Sequence, residues 1–376
     1  MELDSKNYQR KIFILLGFVC LFLLIVSLKV VSSIFLPITV AILLSFVFNP
    51  FLTLLHKKFK FPRGLSIFII ILIIGLTFYF LGIMLFSSLK NLSSVYPKYE
   101  DKFLSLYKEI SQIFKLSYDS EISLFQNLWN QLGVRNTVQS VALSLSSSFI
   151  SFFSDLVLVL LIMVFFLLEF SQFRKKITLV IKDKSETSIR NMLSDIVKQI
   201  SHYLSLKLLI SFATGLLVYI GFLIIGVEFS LLWAFLAIAL NFIPNIGSIL
   251  IGVASTAFAL IQFWPSPLPV IAVLIYITLV EMTLGNFIEP RLMGTNLGLS
   301  PFIILASLSF WSWLWGFMGM IIAVPMMVIL KIICENVDGL ENVSILMGTD
   351  KRETKANKIK KIFSRKAVST ETQTKK

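Results

Sequence analysis

The sequence predicts an all-α, polytopic membrane helix bundle with six to eight spans, two interrupted or re-entrant C-terminal segments, and amphipathic extramembrane helices. Three observations carry that prediction. Hydrophobic residues make up 56% of the 376 positions and charged residues 15%, against about 25% in an ordinary soluble domain. So few polar groups cannot cover a water-facing surface, and the mean hydropathy is +0.86. Apolar runs of spanning length recur along the chain, and basic residues gather between them. Of the net charge of +13, the segment 351–376, with ten Lys/Arg and two acids, holds +8. Such a distribution fits cytoplasmic loops and a cytoplasmic tail beside anionic lipid better than a nucleic-acid groove.

The first apolar run, 12–28, follows Lys6, Arg10 and Lys11. Its 17 residues rise about 26 Å, enough to cross the hydrocarbon core. A signal peptide is the rival reading, but no small-residue cleavage site follows, and a second apolar run occupies 30–55. The two read as a tight helical hairpin whose ends share one side. The stretch His56-Lys57-Lys58-Phe59-Lys60-Phe61-Pro62-Arg63 then places that loop and the N-terminus in the cytoplasm.

A third span is expected over 64–89, followed by a mixed insert. The insert, 90–148, balances six Lys/Arg against five acids, so it lacks cytoplasmic bias. Val95, Tyr99, Phe103, Leu106, Ile110 and Phe114 recur at helical spacing, as do Val134, Val138, Val141 and Leu145. Amphipathic helices forming an extramembrane cap, or a separate binding module, are the two readings. A fourth span, 149–170, leads into a linker with eight bases against three acids over 171–207. Within it Ile189, Leu193, Ile196, Ile200 and Tyr203 form an apolar stripe. The fifth span is 208–225.

The C-terminal third is built differently. Residues 231–263 carry no formal charge over 33 positions, too many for one span and few for two. The middle is broken by Asn241-Phe242-Ile243-Pro244-Asn245-Ile246-Gly247-Ser248. Proline removes a backbone donor and glycine relaxes the chain, so either a kinked helix or a re-entrant, discontinuous one results. A further span, 266–283, contains Glu281, and the last apolar run, 302–333, is interrupted by Trp315-Gly316-Phe317-Met318-Gly319. Gly226 and Gly298 precede the two broken runs, and Gly247 and Gly319 mark their breaks. Both spacings are 21 residues and both offsets 72. Such spacing fits an inverted-topology repeat, although side-chain identity elsewhere is thin. Six spans plus two hairpins put Arg291 inside, whereas eight full spans put it outside. Cysteine labelling at Thr295 separates these topologies.

At these residues a family resemblance enters. The motif 241–248 resembles a signature of the autoinducer-2 exporter family of bacterial membrane proteins. So do Gly285-Asn286-Phe287-Ile288-Glu289-Pro290-Arg291-Leu292-Met293-Gly294, Gly298-Leu299-Ser300, and Gly316-Phe317-Met318-Gly319-Met320 with Val324-Pro325. Order and spacing agree over roughly the last 150 residues, while the earlier part agrees in layout. The resemblance implies export of a small polar signalling molecule, the quorum signal autoinducer-2. Some members of the family are described instead as sodium or lithium/proton antiporters. A non-transporting membrane scaffold is the third reading.

The expected organisation is N-terminal membrane helices over 1–89, the insert over 90–148, and the fourth span with its basic linker over 149–207. A C-terminal transport core follows over 208–334, then a basic cytoplasmic tail over 335–376. The setting is the bacterial inner membrane, with both termini cytoplasmic and a homo-oligomer compatible with the Phe-rich surfaces. Partners are lipid and a small polar molecule or monovalent cation, not nucleic acid, and no cofactor is expected. Enzyme motifs are lacking: there is no G-x-S-x-G, no H-E-x-x-H and no P-loop. With only His56 and His202, a His-based metal centre is not expected. Cys20 and Cys334 read as small buried hydrophobes.

Substrate-path candidates are the polar and backbone-freeing residues at the breaks. Asn241, Asn245 and Ser248 offer amide and hydroxyl groups, beside backbone freed by Pro244 and Gly247; inter-helix hydrogen bonding is the alternative use. Glu281 and Asn286 are placed to face a cavity, and Glu281 is a candidate proton carrier. Glu289 and Arg291, flanking Pro290, form either a gate ion pair or a plain helix terminus. Gly316 and Gly319 mark the second break. Asp155 and Glu169 lie near span ends, where an interfacial role is expected.

Overall fold

In a computed structural model of the protein, residues 2–84, 87, 102, 105, 151, 153–169, 185–293, 298–337 and 339–348 are described. The apolar spacings expected at Val95–Phe114 and Val134–Leu145, Thr295 and the basic tail beyond 348 fall outside them. The regular structure of the described residues is helical, with one isolated bridge, Leu299 to Gly348. Among the described residues six helices are long and apolar enough to cross a membrane, so the chain is a polytopic membrane helix bundle. The helices in chain order, spanning or shorter, are α1 (Glu2–Val30), α2 (Ser32–Lys58), α3 (Arg63–Met84), α4 (153–169), α5 (Ser185–Ile225), α6 (Ser230–Asn241) and α7 (Ile246–Phe263). Then come α8 (Pro267–Glu281), α9 (Pro301–Asn336) and α10 (Glu341–Met347).

The expected tight hairpin of the first two helices does not form. A single residue, Val31, separates α1 from α2, with φ −99° and ψ 27°. The bonds Val31 N–H to Ser27 O and Phe35 N–H to Val31 O carry the helical pattern across it. Val30-Val31-Ser32-Ser33 contains no glycine or proline to reverse the chain, so it bends instead, and the shared side argued for its two ends loses its support. Cys20, expected to be buried, is exposed on α1, because over 15–30 that helix presents nearly all its apolar side chains outward.

The chain divides into two compact units, residues 1–175 with 201–292 and residues 176–200 with 293–376. In the first, Ala41 of α2, Ile70 and Ile74 of α3, and Val159 and Met163 of α4 form a buried cluster. Gly82 lets α3 and α4 approach: a Cβ there would lie 2.4 Å from the Phe153 ring. The α5 helix joins this group through Ser201, whose hydroxyl donates to the Phe46 carbonyl at 2.7 Å. It runs 41 residues without interruption, crossing the point between 207 and 208 where linker and transport core were expected to meet.

Both broken apolar runs fold back on themselves. At 12 residues, α6 rises about 18 Å and cannot cross a core of about 30 Å. The chain turns over 242–245, and α7 returns until Gln262 reaches the start of the run. There its Nε2 donates to Gly226 O at 2.7 Å and its Oε1 accepts from Glu228 N–H at 2.8 Å. The feet of the run therefore lie together, which settles the choice between kink and hairpin.

In the second unit α9 contains non-helical backbone at Trp315 and Gly316 (φ 61°). The Ser307 hydroxyl donates to Ala323 O at 3.0 Å. A straight helix would hold residues 16 apart at about 24 Å, so 301–314 and 317–336 are two arms of a hairpin. Its feet are joined by Lys331 Nζ donating to Gly298 O at 2.7 Å.

The two hairpins share the features that the glycine spacing suggested. Gly226 and Gly298 both have positive φ, 86° and 54°, and each carbonyl accepts from a long side chain on the returning arm. Gly247 and Gly319 sit where each tip is tightest. A Cβ there would meet Leu240 O at 1.8 Å and Trp311 O at 1.9 Å, respectively.

Candidate functional site

The site is built on α7 and α8 of the first unit. Only Trp264, Pro265 and Ser266 separate the two helices, so they run antiparallel. Ser248 at the start of α7 therefore meets Glu281 at the end of α8, and the hydroxyl donates to Glu281 Oε2 at 2.7 Å. Between the helices lies a cavity of about 660 Å³ lined by Asn245, Ser248, Thr256, Thr278, Glu281 and Asn286 together with aliphatic side chains. Asn245 lies there at the break with φ 61° and ψ −44°, the centre of a γ-turn in which Ile246 N–H donates to Pro244 O at 2.7 Å.

Asn286 reaches the same cavity through a change of helix type. Residues Met282–Ile288 form a π-helix, in which bonds run between residues five apart. Glu289 N–H accordingly donates to Leu284 O. In an α-helix residues five apart face about 140° away from each other; the wider turn lets Glu281 and Asn286 line one space. Sequence reasoning placed both at a cavity without seeing how the backbone brings them there.

The remaining candidates have other partners or positions. Asn241 is buried, and its amide donates to Ser211 Oγ of α5 at 3.0 Å, an inter-helix bond rather than a cavity contact. Gly247 is buried at the hairpin tip and Pro244 half-buried in the turn. Glu289 does not pair with Arg291. Its Oε1 accepts from Lys207 Nζ at 2.6 Å, while Pro290 and Arg291 are exposed in the short turn Glu289–Met293. Gly316 and Gly319 form the tip of the other unit's hairpin. Asp155 and Glu169 are exposed near the ends of α4.

Lys207 was counted among the bases of a cytoplasmic linker, yet it is 2% exposed. A signal for this was present. The stripe Ile189, Leu193, Ile196, Ile200, Tyr203 continues by four residues to Lys207, so the lysine belongs to the buried face. Lys331 is the second such residue, a lone charge within the last apolar run and 5% exposed. Among the described residues no group of three or more His, Cys, Asp or Glu could hold a metal ion.

Polar groups beside aliphatic side chains between α7 and α8 suit binding of a small molecule, and the comparisons with known proteins point to transporters. The family profile of AI-2E family transporters matches residues 12–339. A protein of Borreliella burgdorferi provisionally described as a transport protein is 34% identical over 334 residues, covering 88% of this chain and 90% of that one. The AI-2 transport protein TqsA of Escherichia coli is 29% identical over 347 residues, covering 91% and 97%. YueF of Bacillus subtilis, also provisionally described as a transport protein, is 27% identical over 315 residues, covering 80% and 83%. The chain belongs to the AI-2E family of transporters.

Proposed function

We propose that the protein exports a small polar signalling molecule across the bacterial inner membrane, with autoinducer-2 as cargo and the α7–α8 cavity on its path. The observation that carries this reading is the Ser248–Glu281 hydrogen bond in the wall of a cavity that also takes Asn245 and Asn286. Amide, hydroxyl and carboxyl groups concentrated at one end of a mostly aliphatic space suit a polyol. The name carried by the E. coli relative supports the choice of cargo. In this reading both termini are cytoplasmic, the apolar outer faces meet lipid or a second copy, and energy comes from an ion gradient or the cargo's own gradient.

A sodium or lithium/proton antiporter is the second reading, favoured by Glu281, whose Oε1 is buried without a hydrogen-bond partner. Proteoliposomes holding the purified protein separate the two. Labelled autoinducer-2 should leave them along its gradient, and Asn245→Ala should reduce that flux. Sodium-driven proton movement that vanishes in Glu281→Gln, with no autoinducer-2 flux, would establish the antiporter instead. Flux of neither leaves a scaffold.

A further inference from the structure

We infer that the cavity selects its occupant by charge: it admits small neutral or cationic molecules presenting hydroxyl or ammonium donors and rejects anions, with Glu281 as the discriminating side chain. The inference rests on the cavity named in the proposed function and adds to it the chemical class that the cavity accepts.

The wall contains one ionisable side chain, Glu281, and no lysine, arginine or histidine. The hydroxyl donors of the wall are largely consumed within it. Ser248 gives its proton to Glu281 Oε2, and Thr278 gives its own to Leu274 O at 2.7 Å. Oxygen atoms remain over. Glu281 Oε1 and Thr256 Oγ1 are both buried with no hydrogen-bond partner, and both belong to wall residues. Buried polar atoms in native proteins are nearly always satisfied; the Thr256 hydroxyl can donate or accept, whereas a carboxylate oxygen only accepts, so an occupant that supplies a donor to Glu281 Oε1 completes this wall. The amides of Asn245 and Asn286 both donate and accept and favour neither sign of charge.

The electrostatics point the same way. The nearby ammonium of Lys207 is committed to Glu289 at 2.6 Å, and Glu281 lies within the field of both. Two carboxyl groups thus share one cation. An anion entering the cavity would meet this excess of acid across aliphatic walls, where charges interact more strongly than in water. The same antiparallel register grades the cavity along its length. Asn245, Ser248, Thr278, Glu281 and Asn286 gather at one end, Thr256 sits about two turns farther along α7, and Leu260 and Val270 lie at the opposite end. That end accommodates the carbon skeleton of the occupant.

Three labelled probes with one skeleton test this: cyclohexane-1,2-diol, cyclohexylammonium and cyclohexanecarboxylate. Saturation binding is measured on the full chain in lipid nanodiscs, with empty nanodiscs subtracted. The diol and the ammonium should bind saturably and compete with each other, and the carboxylate should stay at the empty-disc level. Glu281→Gln should lower the ammonium-to-carboxylate preference by about tenfold or more, the factor that 1.4 kcal/mol of lost charge interaction produces. Glu281→Asp, which keeps the charge, should retain the preference. Carboxylate binding equal to that of the diol, an unchanged preference in Glu281→Gln, or saturable binding of no probe would each overturn the inference. Autoinducer-2 flux without charge discrimination sinks this inference alone. Discrimination without that flux sinks the cargo assignment and leaves charge selection standing.

Discussion

Lys207 of α5 donates to Glu289, the first residue after the π-helix that continues α8, across 2.6 Å, with side-chain exposures of 3% and 19%. The pair joins a long apolar helix to the short turn that follows the π-helix. Taking two charges out of water is costly, and the pair persists because each ion compensates the other. Removing one partner is therefore worse than removing both. Lys207→Met should destabilise the protein by up to about 3–5 kcal/mol, because it leaves the half-buried Glu289 without a cation. The double variant Lys207→Met, Glu289→Gln should recover most of that loss. Unfolding in mixed detergent micelles measures both, and a double variant as unstable as the single one would show that the lysine acts through packing alone.

The hairpin tips give a second prediction. A Cβ on Gly247 would lie 1.8 Å from Leu240 O, and one on Gly319 would lie 1.9 Å from Trp311 O. Backbone oxygen cannot swing aside as a side chain can, so Gly247→Ala and Gly319→Ala should each open a tip. Overpacking of this kind costs about 1–3 kcal/mol. Gly75, in α3, has nothing within 4 Å of such a Cβ, and Gly75→Ala should be neutral or stabilising by up to about 1 kcal/mol. Unfolding midpoints of the three variants in one detergent provide the comparison. A tip variant as stable as Gly75→Ala would mean that the arms do not approach this closely.

Composition and apolar run length made the membrane bundle legible, because a bilayer demands long apolar helices whatever their packing. The hairpins were half legible. Apolar runs of 33 and 32 residues, the first without a charge and the second with Lys331 alone, announced an interruption where glycine broke them, yet the bond between Ser307 and Ala323 was needed to show a reversal. The pairing of glycines at an offset of 72 was visible as spacing, whereas their shared duty as carbonyls gripped by Gln262 and Lys331 was not. At the site, Glu281 and Asn286 stood out as polar groups ending an apolar span. The π-helix that turns both to one cavity has no distinct sequence mark. Lys207 was misread because charge counting takes no account of helix phase, and the stripe ending at Tyr203 would have corrected it.

The second hairpin makes a topological prediction. Pro301 and Asn336 are both exposed, and Lys331 joins the returning arm to Gly298 at the foot of the other. In a chain whose Cys20 and Cys334 are replaced by alanine, single cysteines at 301 and 336 should react with a membrane-impermeant maleimide from the same side of sealed vesicles. Reaction from opposite sides would convert the hairpin into a full crossing and remove its likeness to the first one.

Gln262 offers the last test, because one amide closes the foot of the first hairpin. It is 5% exposed; Nε2 donates to Gly226 O and Oε1 accepts from Glu228 N–H. Lys102 adds a further hold by donating to the Gln262 carbonyl. Replacing Gln262 with leucine keeps the apolar stem and strands two backbone groups, each worth about 1–3 kcal/mol when left unsatisfied in the interior. Glutamate keeps the acceptor but sets a carboxylate oxygen against Gly226 O, so Gln262→Glu should destabilise at least as much at neutral pH. Gln262→Lys replaces the amide donor with the ammonium that Lys331 supplies to Gly298 in the other hairpin. It should keep the bond to Gly226 O and lose only the one from Glu228. The expected order of unfolding midpoints is therefore wild type, then lysine, then leucine and glutamate. If lysine were no better than leucine, the two glycine carbonyls would not be held by equivalent contacts, and the correspondence between the hairpins would reduce to glycine spacing.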